Sequence, residues 1–287
     1  MRKSVVLVTG CDAPFFDFML ETLQSLVALN IDQRADIGIL DLGLTAEQVS
    51  SLQAMGYSVV RPSWTLDVPE KFQGKHHLGL VARTALREYF PGYGIYLWFD
   101  ADAWAQTPEF FDDLVAGAQA EGAAVAREDG ANYRRTLTYS KWWIGNMMAA
   151  YGPIRGLRVA LRPAMNIGIL ALSDRAPHWD AWIRYYKHFI AQRSRVSNQH
   201  SFNAMVELEK IPCAPVSARC NWICNLSEPV WDPGSKRMCD PGKANKPLSV
   251  LHLAGPDKRR IYGLRQVGGG RIQSALTFSA VRELRGN

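Results

Sequence analysis

The fold of this chain is decided by one stretch of sequence, Ile95-Tyr96-Leu97-Trp98-Phe99-Asp100-Ala101-Asp102-Ala103-Trp104. An apolar, aromatic-rich run of this length predicts a buried β-strand. Two carboxylates at the end of such a strand are costly to bury unless they are paired or bind a metal. In extended chain Asp100 and Asp102 point to the same side, so they offer two oxygen ligands to a divalent cation such as Mg²⁺ or Mn²⁺. The alternative is a strand end that enters solvent, with two aspartates at a turn.

Length, composition and charge limit the classes of protein to which the chain can belong. Its 287 residues suffice for one large α/β domain or two small ones, and its 47% hydrophobic content is that of an ordinary globular protein. No apolar run approaches the ~20 residues of a membrane span, and the apolar start, residues 4–8, is too short for a signal peptide. The net charge is +6, but no nucleic-acid-binding module is visible, so we expect no nucleic-acid partner.

The five cysteines are scattered along the chain, at Cys11, Cys213, Cys220, Cys224 and Cys239. Their odd number and irregular spacing predict reduced thiols and a cytoplasmic protein. Cys220, Cys224 and Cys239 together could suggest a zinc site, although their spacing is irregular and a fourth ligand is not evident.

Much of the positive charge lies in the last thirty or so residues of the chain. Within them, residues 272–284 carry apolar side chains at helical spacing, Leu276, Phe278, Val281 and Leu284. A basic amphipathic helix of this kind either lies on a bilayer, as a peripheral contact at the inner face of the membrane, or packs on its own domain.

Strand and helix patterns alternate through the first third of the chain. Strands are predicted at 4–9, 36–42 and 57–61, and helices at 15–29, 45–55 and 72–90. This alternation implies a mostly parallel sheet with helices on both faces, whose ligands bind beyond the carboxyl ends of the strands. Asp12 follows the first strand and the Asp100/Asp102 pair ends a later one, so both acidic loops are expected at one edge of the sheet.

The second half of the chain has a less regular pattern, and no linker forces a division into two domains. Strands are predicted at 123–127, 165–172 and 249–253, and helices at 177–192 and 198–208. Residues 129–162 are rich in Gly, Tyr, Trp and Arg, which predicts a loop or lid. Its aromatic side chains either offer stacking faces to a bound ligand or pack within the lid; they are Tyr133, Tyr139, Trp142 and Trp143.

Short signatures then follow one another in a fixed order. They are Asp41-Leu42-Gly43-Leu44-Thr45, Ala82-Arg83, Tyr96 to Asp102, Met165-Asn166-Ile167-Gly168, Asn198-Gln199-His200-Ser201-Phe202-Asn203 and His252-Leu253-Ala254-Gly255-Pro256-Asp257-Lys258. Together they resemble the family 8 glycosyltransferases, retaining enzymes of the GT-A fold, and especially the bacterial lipopolysaccharide galactosyl- and glucosyltransferases. The resemblance spans roughly residues 5 to 260. It implies one α/β domain over residues 1–262, with a mostly parallel twisted sheet flanked by helices, and leaves residues 263–287 as a basic tail.

The resemblance implies a metal-dependent enzyme that moves a hexose from a nucleotide-sugar, in particular a UDP-hexose, to a hydroxyl of a glycan or lipid-linked acceptor. Asp100, Asp102 and His252 would hold Mn²⁺ or Mg²⁺, a Lewis acid that neutralises the charge growing on the leaving diphosphate. Gly255 would let the backbone approach that diphosphate, and Lys258 would add a positive charge to it.

The remaining site residues are also assigned by this resemblance. Thr9, Cys11 and Asp12 would line the nucleobase pocket, and Ala101 would meet the donor between the two aspartates. Arg83 would hold either the acidic strand end or the donor. The transferred sugar would meet Asn166, Gln199 and Asn198, with Gln199 and Asn198 as the catalytic pair.

The chain departs from the family pattern where a glutamine normally follows an aspartate, because Asn198 stands there instead. Two further departures are Cys11 before the single acid Asp12, and Arg259-Arg260 in place of a tryptophan. Loss of the carboxylate fits a front-face retaining route, in which the leaving phosphate assists the acceptor. It also supports a rival interpretation, a non-catalytic nucleotide-sugar-binding protein.

Two other interpretations have less support. A sugar nucleotidyltransferase needs a glycine-rich basic loop after the first strand, whereas Gly10-Cys11-Asp12-Ala13-Pro14 carries no basic residue. A membrane-surface scaffold would rely on the basic tail alone.

Overall fold

The computed structural model describes residues 3–128, 133, 136–193, 197–242 and 246–286. The strands are β1 (Val5–Cys11), β2 (Asp36–Asp41), β3 (Ser58–Val60), β4 (Ile95–Phe99), β5 (Ala103–Ala105), β6 (Ala123–Arg127), β7 (Met165–Ser173), β8 (Ala214–Val216), β9 (Trp222–Ile223), β10 (Val230–Asp232), β11 (Arg237–Cys239), β12 (Val250–His252), β13 (Tyr262–Arg265) and β14 (Arg271–Ser274). The helices are α1 (Phe16–Ala28), α2 (Ala46–Ala54), α3 (Lys75–Ala82), α4 (Leu86–Tyr89), α5 (Glu109–Glu121), α6 (Leu137–Tyr151), α7 (Pro153–Ala160), α8 (His178–Arg193), α9 (Asn198–Glu209) and α10 (Phe278–Leu284).

The central sheet has the strand order β3-β2-β1-β4-β7-β6-β8. Strands β3, β2, β1 and β4 run parallel, β7 runs antiparallel to both β4 and β6, and β8 is parallel to β6. The predicted mostly parallel sheet is confirmed. Because β7 alone is reversed, its start lies at the edge where β1, β4 and β6 end.

The two faces of the sheet pack on different helices because successive strand residues point to opposite sides. Every residue of β1 and β4 is buried. Val6 and Trp98 face the core that contains Trp179 of α8, while Leu7 and Phe99 face the core that contains α5. Strands covered on both faces explain the continuous apolar runs of the sequence.

A small second sheet has the strand order β5-β12-β9, and its strand β5 follows the end of β4 after three residues. Strand β12 is antiparallel to β5 and sets His252 opposite Ala103. The residue that follows Asp102 therefore pairs with the histidine predicted to act with it.

The predicted single strand over residues 95–104 is wrong, because the strand ends at Phe99. The chain then turns, with the N–H of Ala103 donating to the C=O of Asp100 at 3.1 Å, and resumes as β5. Asp100 and Asp102 are thus brought together by a turn and not by the alternation of an extended strand.

The predicted helix over residues 72–90 is also wrong in its continuity. It divides into α3, a 3₁₀ turn at Arg83–Ala85 and α4. The turn lets Arg83 reach the sheet, where Nη1 donates to the C=O of Ile167 at 2.9 Å. A tertiary contact therefore overrides the local helical pattern.

The loop or lid predicted at residues 129–162 is wrong where the structure describes it, since 137–160 form α6 and α7. Thr136 caps α6 by accepting from the N–H of Tyr139 at 3.1 Å. Trp143 packs in a buried cluster with Met147 and Val159. Residues 129–132, 134 and 135 lie outside the described residues.

The end of the chain packs on the rest of the protein. A β13–β14 hairpin is followed by α10, which begins at Phe278 and not at residue 272. The Trp104 indole donates to the C=O of Leu276 at 2.7 Å, and its ring lies 5.6 Å from that of Phe278. The helix was predicted either to lie on a bilayer or to pack on its own domain. Its apolar face packs on the domain. None of the helices in the described ranges has the length and apolarity needed to cross a bilayer.

We predict that Phe278→Ala lowers the free energy of unfolding by about 3 kcal/mol, since it removes a buried aromatic ring. Chemical denaturation measures this, with Met55→Ala as the control because Met55 is 57% exposed. Equal stability of both variants would show that residues 263–287 are a separate tail. The boundary predicted at residue 262 stays a prediction that this experiment decides.

Candidate active site

Three of the predicted site residues meet beyond the end of β4. His252 Nε2 lies 3.8 Å from Asp100 Oδ2 and 3.3 Å from Asp102 Oδ1. One ligand atom from each residue lies within 4.8 Å of the other two, and no other group of His, Cys, Asp or Glu in the described ranges meets this criterion. The structure thus brings the expected metal-ligand trio together. Among the described residues, Cys220, Cys224 and Cys239 do not form such a cluster, so the zinc-site alternative has no support.

Each carboxylate in the trio has one oxygen that accepts hydrogen bonds from side chains outside the trio. Asp100 Oδ1 accepts from Arg83 Nη2 and from the Trp98 indole, both at 2.6 Å. Asp102 Oδ2 accepts from Lys258 Nζ at 2.6 Å. Because these far oxygens are engaged, the remaining oxygens are the ones turned toward His252.

The His252 ring is oriented by an amide that sequence reasoning missed. Its Nδ1 lies 2.9 Å from Asn221 Oδ1, and Asn221 Nδ2 donates to the main-chain O and to Oδ1 of Asn166. Since the Asn221 amide nitrogen is committed to Asn166, its oxygen accepts the Nδ1 proton of His252. With the Nδ1 proton held in this way, Nε2 is the ring atom that faces the carboxylates, where it can bind either a proton or a metal ion.

The pKa values of Asp102 and His252 are shifted in opposite directions. Burial raises the pKa of the Asp102 carboxyl, but His252 and Lys258 outweigh this and hold the pKa well below its ordinary value. Burial lowers the pKa of the His252 imidazole, but Asp102 and Asp100 outweigh this and raise the pKa above its ordinary value. The two carboxylates therefore favour protonation of Nε2, and a metal ion bound by the trio would have to displace that proton.

Arg83 is the cation that holds the end of β4. Its side chain is 5% exposed, and its guanidinium lies 4.5 Å from the centre of the Trp98 ring. Besides Asp100 it bonds the C=O of Ile167 in β7. Arg83 therefore bonds the acidic strand end, and its predicted contact with a donor stays a prediction.

Gly168 has no side chain, and this leaves room for the side chains of the trio. A Cβ added there would lie 2.5 Å from His252 Cε1 and 2.6 Å from Asp100 Oδ2. Any side chain at this position would therefore push the imidazole or the carboxylate away. The Asn-x-Gly signature contains this glycine, but the sequence gives no hint of the contact.

A second polar group contains two predicted sugar-binding residues and one residue that was missed. Glu128 Oε1 accepts from Asn166 Nδ2 at 2.9 Å and from Gln199 Nε2 at 3.5 Å. Glu128 is 6% exposed and directly follows β6. Its position after a strand at the ligand-binding edge is the signal that could have found it, by the rule that selected Asp12 and Asp100.

Asn198 is placed differently from Gln199. Its Nδ2 donates to the C=O of Leu80 at 2.9 Å, and its own C=O accepts from the Trp182 indole at 3.1 Å. The asparagine thus ties the start of α9 to α3, and its amide nitrogen is engaged by main chain.

A cleft runs from the end of β1 to the acidic pair. Of the predicted donor residues, Cys11, Asp12, Arg83, Asp100 and Ala101 line it. The cleft is completed by Gly10, Phe15, Leu42, Gly79, Leu80, Trp98 and Asp102. Thr9 is fully buried in β1 and does not line this cleft. Burial raises the pKa of Cys11 to about 12, so its thiol is neutral.

The loop after β12 carries Gly255 and Lys258. Gly255 has a φ of 108°, and a Cβ there would lie 3.1 Å from Asn225 Nδ2. Lys258 Nζ donates to the C=O groups of Leu253 and Gly255, at 3.0 and 2.9 Å, and to Asp102. These three bonds occupy all three donors of the ammonium group, so contact with a ligand would replace one of them.

Solved glycosyltransferase structures share this architecture. The galactosyltransferase LgtC, solved with donor and acceptor sugar analogs, has a TM-score of 0.57 and 18% identity over 98% of this chain and 95% of its own. The fold is a glycosyltransferase fold. Mouse xyloside xylosyltransferase 1 has a TM-score of 0.52 and 10% identity, over 88% of this chain and 97% of its own.

GlyE of Streptococcus pneumoniae TIGR4 has a TM-score of 0.53 and 14% identity, over 99% of this chain and 60% of its own. A further LgtC structure is an active-site mutant in which glutamate replaces a glutamine, with a TM-score of 0.58 and 17% identity over 98% of this chain and 95% of its own. No family model and no curated protein matches the sequence. The fold predicted from the resemblance to family 8 is therefore confirmed by structure alone.

We predict that Gly168→Ala abolishes Mn²⁺ binding, because the added methyl group displaces His252 or Asp100. Titration calorimetry measures the binding, and Gly145→Ala is the control, since a Cβ there meets nothing within 4 Å. Unchanged Mn²⁺ affinity in Gly168→Ala would contradict this arrangement of ligands.

We also predict that Mn²⁺ binds more tightly as the pH rises through the raised pKa of His252. In the metal-free protein the proton on His252 contributes stability below the unfolded pKa of about 6.5, and this contribution is lost as the pH rises through the folded pKa. Metal binding has the opposite dependence because Nε2 must first lose its proton.

Calorimetry in buffers of different ionisation enthalpy counts the protons that Mn²⁺ releases. We expect about one proton to be released per Mn²⁺ bound below the His252 pKa. His252→Gln should lose this release and His188→Gln should keep it. A release that persists in His252→Gln would assign the proton to another group.

Proposed function

We propose that this protein is a metal-dependent glycosyltransferase. It moves a hexose, with retention, from a UDP-hexose to a hydroxyl of a glycan or lipid-linked acceptor. The observation that carries the proposal is the meeting of Asp100 Oδ2, Asp102 Oδ1 and His252 Nε2 beside the cleft. The fold it shares with LgtC, a galactosyltransferase solved with donor and acceptor sugar analogs, supports the same reaction class.

The trio suits Mn²⁺, or Mg²⁺ as the alternative. Carboxylate oxygens are ligands for both ions, and the imidazole nitrogen favours the transition metal of the two. Asn221 fixes the tautomer of His252, and Arg83 and Lys258 fix the carboxylates. A bound divalent ion would supply charge neutralisation to the leaving diphosphate.

The cleft suits a nucleoside diphosphate. Cys11 and Asp12 lie at one end of it and the acidic pair at the other. Lys258 reaches Asp102 from the loop that contains Gly255, so its ammonium group lies where a diphosphate on the trio would meet it. Lys258 would hold the donor by giving up one hydrogen bond to a main-chain carbonyl and donating to a phosphate oxygen of the diphosphate in its place.

The polar group of Glu128, Asn166 and Gln199 suits the transferred hexose. Asn166 joins this group to the trio, because its main-chain O and Oδ1 accept from the amide that orients His252. Glu128 provides a carboxylate next to the residues proposed to bind the sugar, whereas Asn198 carries no carboxylate. The active-site glutamine of LgtC supports assigning Gln199 to the same chemistry.

Retention is proposed from the resemblance to family 8, and the absence of a carboxylate at position 198 favours a front-face route over a covalent glycosyl-enzyme intermediate. On the front-face route the leaving phosphate assists the acceptor hydroxyl, and Gln199 steadies the sugar. Glu128 is already bound to two amides, which suits orientation of hydroxyl groups better than attack on the anomeric carbon.

The test is calorimetric titration of UDP with and without Mn²⁺, followed by an assay of UDP release from a panel of UDP-hexoses. Asp102→Asn should abolish the Mn²⁺-dependent part of UDP binding. Glu128→Gln should keep that binding and lower turnover about 100-fold, the scale of losing one polar group that positions the reacting sugar. Asp180→Asn, whose side chain is 82% exposed, is the control for both.

Two outcomes would contradict the proposal. Metal-independent UDP binding of unchanged strength in Asp102→Asn would remove the role of the metal. Tight binding of UDP-hexoses by the wild-type protein without any release of UDP would favour the non-catalytic nucleotide-sugar-binding protein.

A further inference from the structure

Helix α7 exposes an apolar stripe on the outside of the protein. Ile154, Leu157 and Leu161 are 83%, 39% and 71% exposed. Their spacing of three and four residues puts them on one side of the helix and its last turn. We refer to these three residues as the α7 face. Large apolar side chains that line up at the surface mark an interaction site more often than isolated ones do.

The opposite side of α7 is buried against its own domain. Gly156, Val159 and Ala160 are buried, and a Cβ on Gly156 would overlap the C=O of Met147 in α6. This close approach fixes the helix, so the α7 face cannot be buried by rotating α7 inward. Its exposure is therefore a property of the fold.

Basic side chains accompany the α7 face. Residues 137–162 contain Lys141, Arg155, Arg158 and Arg162, and they contain no aspartate or glutamate. All four are exposed. Arg162 lies 3.6 Å from Glu207 on α9, whereas Arg155 and Arg158 directly follow Ile154 and Leu157 in sequence. The surface combines exposed apolar residues with positive charge, so its partner is expected to be anionic and apolar.

We propose that the α7 face binds the surface of a bilayer that contains anionic lipids. Aliphatic side chains of this size enter the boundary between headgroups and acyl chains, while arginines bond the lipid phosphates. The exposed Trp142 and Leu137 of α6 are residue types that suit the same environment.

A second copy of the chain fits this surface less well. A two-fold dimer would place the same patch on both subunits, so the arginines of one patch would approach those of the other. Residues 137–162 contain four basic residues and no acid, and among these four Glu207 pairs with Arg162 alone, so the patch stays positively charged and would repel its copy. The basic residues thus favour a lipid surface over self-association.

The α7 face is connected to the proposed sugar site through α6. The Tyr139 hydroxyl, in the first turn of α6, lies 3.4 Å from Glu128 Oε2. A protein seated on α7 would therefore hold this part of its active site close to the bilayer. If the proposed function holds, this placement favours the lipid-linked class of acceptor. The contact between α7 and lipid does not depend on that function.

The test is flotation of the full-length protein with vesicles of phosphatidylcholine containing phosphatidylglycerol, compared with vesicles of phosphatidylcholine alone. Binding is expected only to the anionic vesicles and is expected to weaken as salt is added. Ile154→Ser/Leu161→Ser and Arg155→Gln/Arg158→Gln should each weaken vesicle binding roughly tenfold or more.

Matched controls come from the end of the chain, where Ile261 is 61% exposed. Ile261→Ser and Arg265→Gln/Arg271→Gln should bind vesicles like the wild type. Equal loss in these controls would assign the contact to the basic tail and overturn the proposal. Vesicle binding that is absent in the wild type, or unchanged in the α7 variants, would also overturn it.

Two further measurements separate the remaining outcomes. Thermal unfolding of each variant confirms that the fold is intact, since all the substituted side chains are exposed. A concentration-dependent dimer that Ile154→Ser/Leu161→Ser abolishes would overturn the proposal in favour of a second copy. Mn²⁺-dependent UDP binding should be unchanged in the α7 variants, so failure at the membrane leaves the proposed function standing.

Discussion

The Asp100 carboxylate is held between a buried guanidinium and an indole, and the rest of the site depends on this contact. Arg83 and Trp98 both bond Oδ1, and the arginine also lies over the tryptophan ring. Two neighbouring carboxylates at a buried strand end would otherwise repel each other and lose hydration. With Oδ1 fixed, Oδ2 is available to face the imidazole of His252.

Topology places the other members of the site around this fixed carboxylate. The ends of β1, β4 and β6 and the start of the reversed β7 share one edge of the sheet, which gathers Asp12, Asp100, Glu128 and Asn166. The second sheet supplies His252 from β12, and the loop that follows supplies Lys258. Asn221 then links Asn166 to His252, so the sugar side and the metal side form one hydrogen-bonded network.

Much of this arrangement could be predicted from the sequence, because buried parallel strands have continuous apolar runs and their ligands lie at the carboxyl ends. The strand over 123–127 and the acidic pair follow from such patterns, and the start of α9 at Asn198 follows from a helical pattern. The resemblance added His252, which periodicity alone does not connect to residues 100–102. The contacts with Arg83 depend on a helix break that no local signal encodes.

The errors have physical causes of a different kind. The sequence of residues 137–160 predicts a loop and not the helices α6 and α7, because glycine, tryptophan and arginine obscure a helical period that tertiary packing nevertheless stabilises. Asn221 was missed because an isolated asparagine carries no pattern; its role exists only through its partners. The turn after Phe99 was missed because alanine and tryptophan on its far side continue the apolar run.

The central claim is that His252 and the two aspartates bind one divalent ion that also holds a nucleoside diphosphate. Pulsed electron paramagnetic resonance of the protein with Mn²⁺ and UDP tests it most directly. The account predicts hyperfine coupling to one imidazole nitrogen and to phosphorus, with the nitrogen coupling lost in His252→Gln. A nitrogen coupling that survives this substitution, or a Mn²⁺ spectrum without phosphorus coupling, would contradict it.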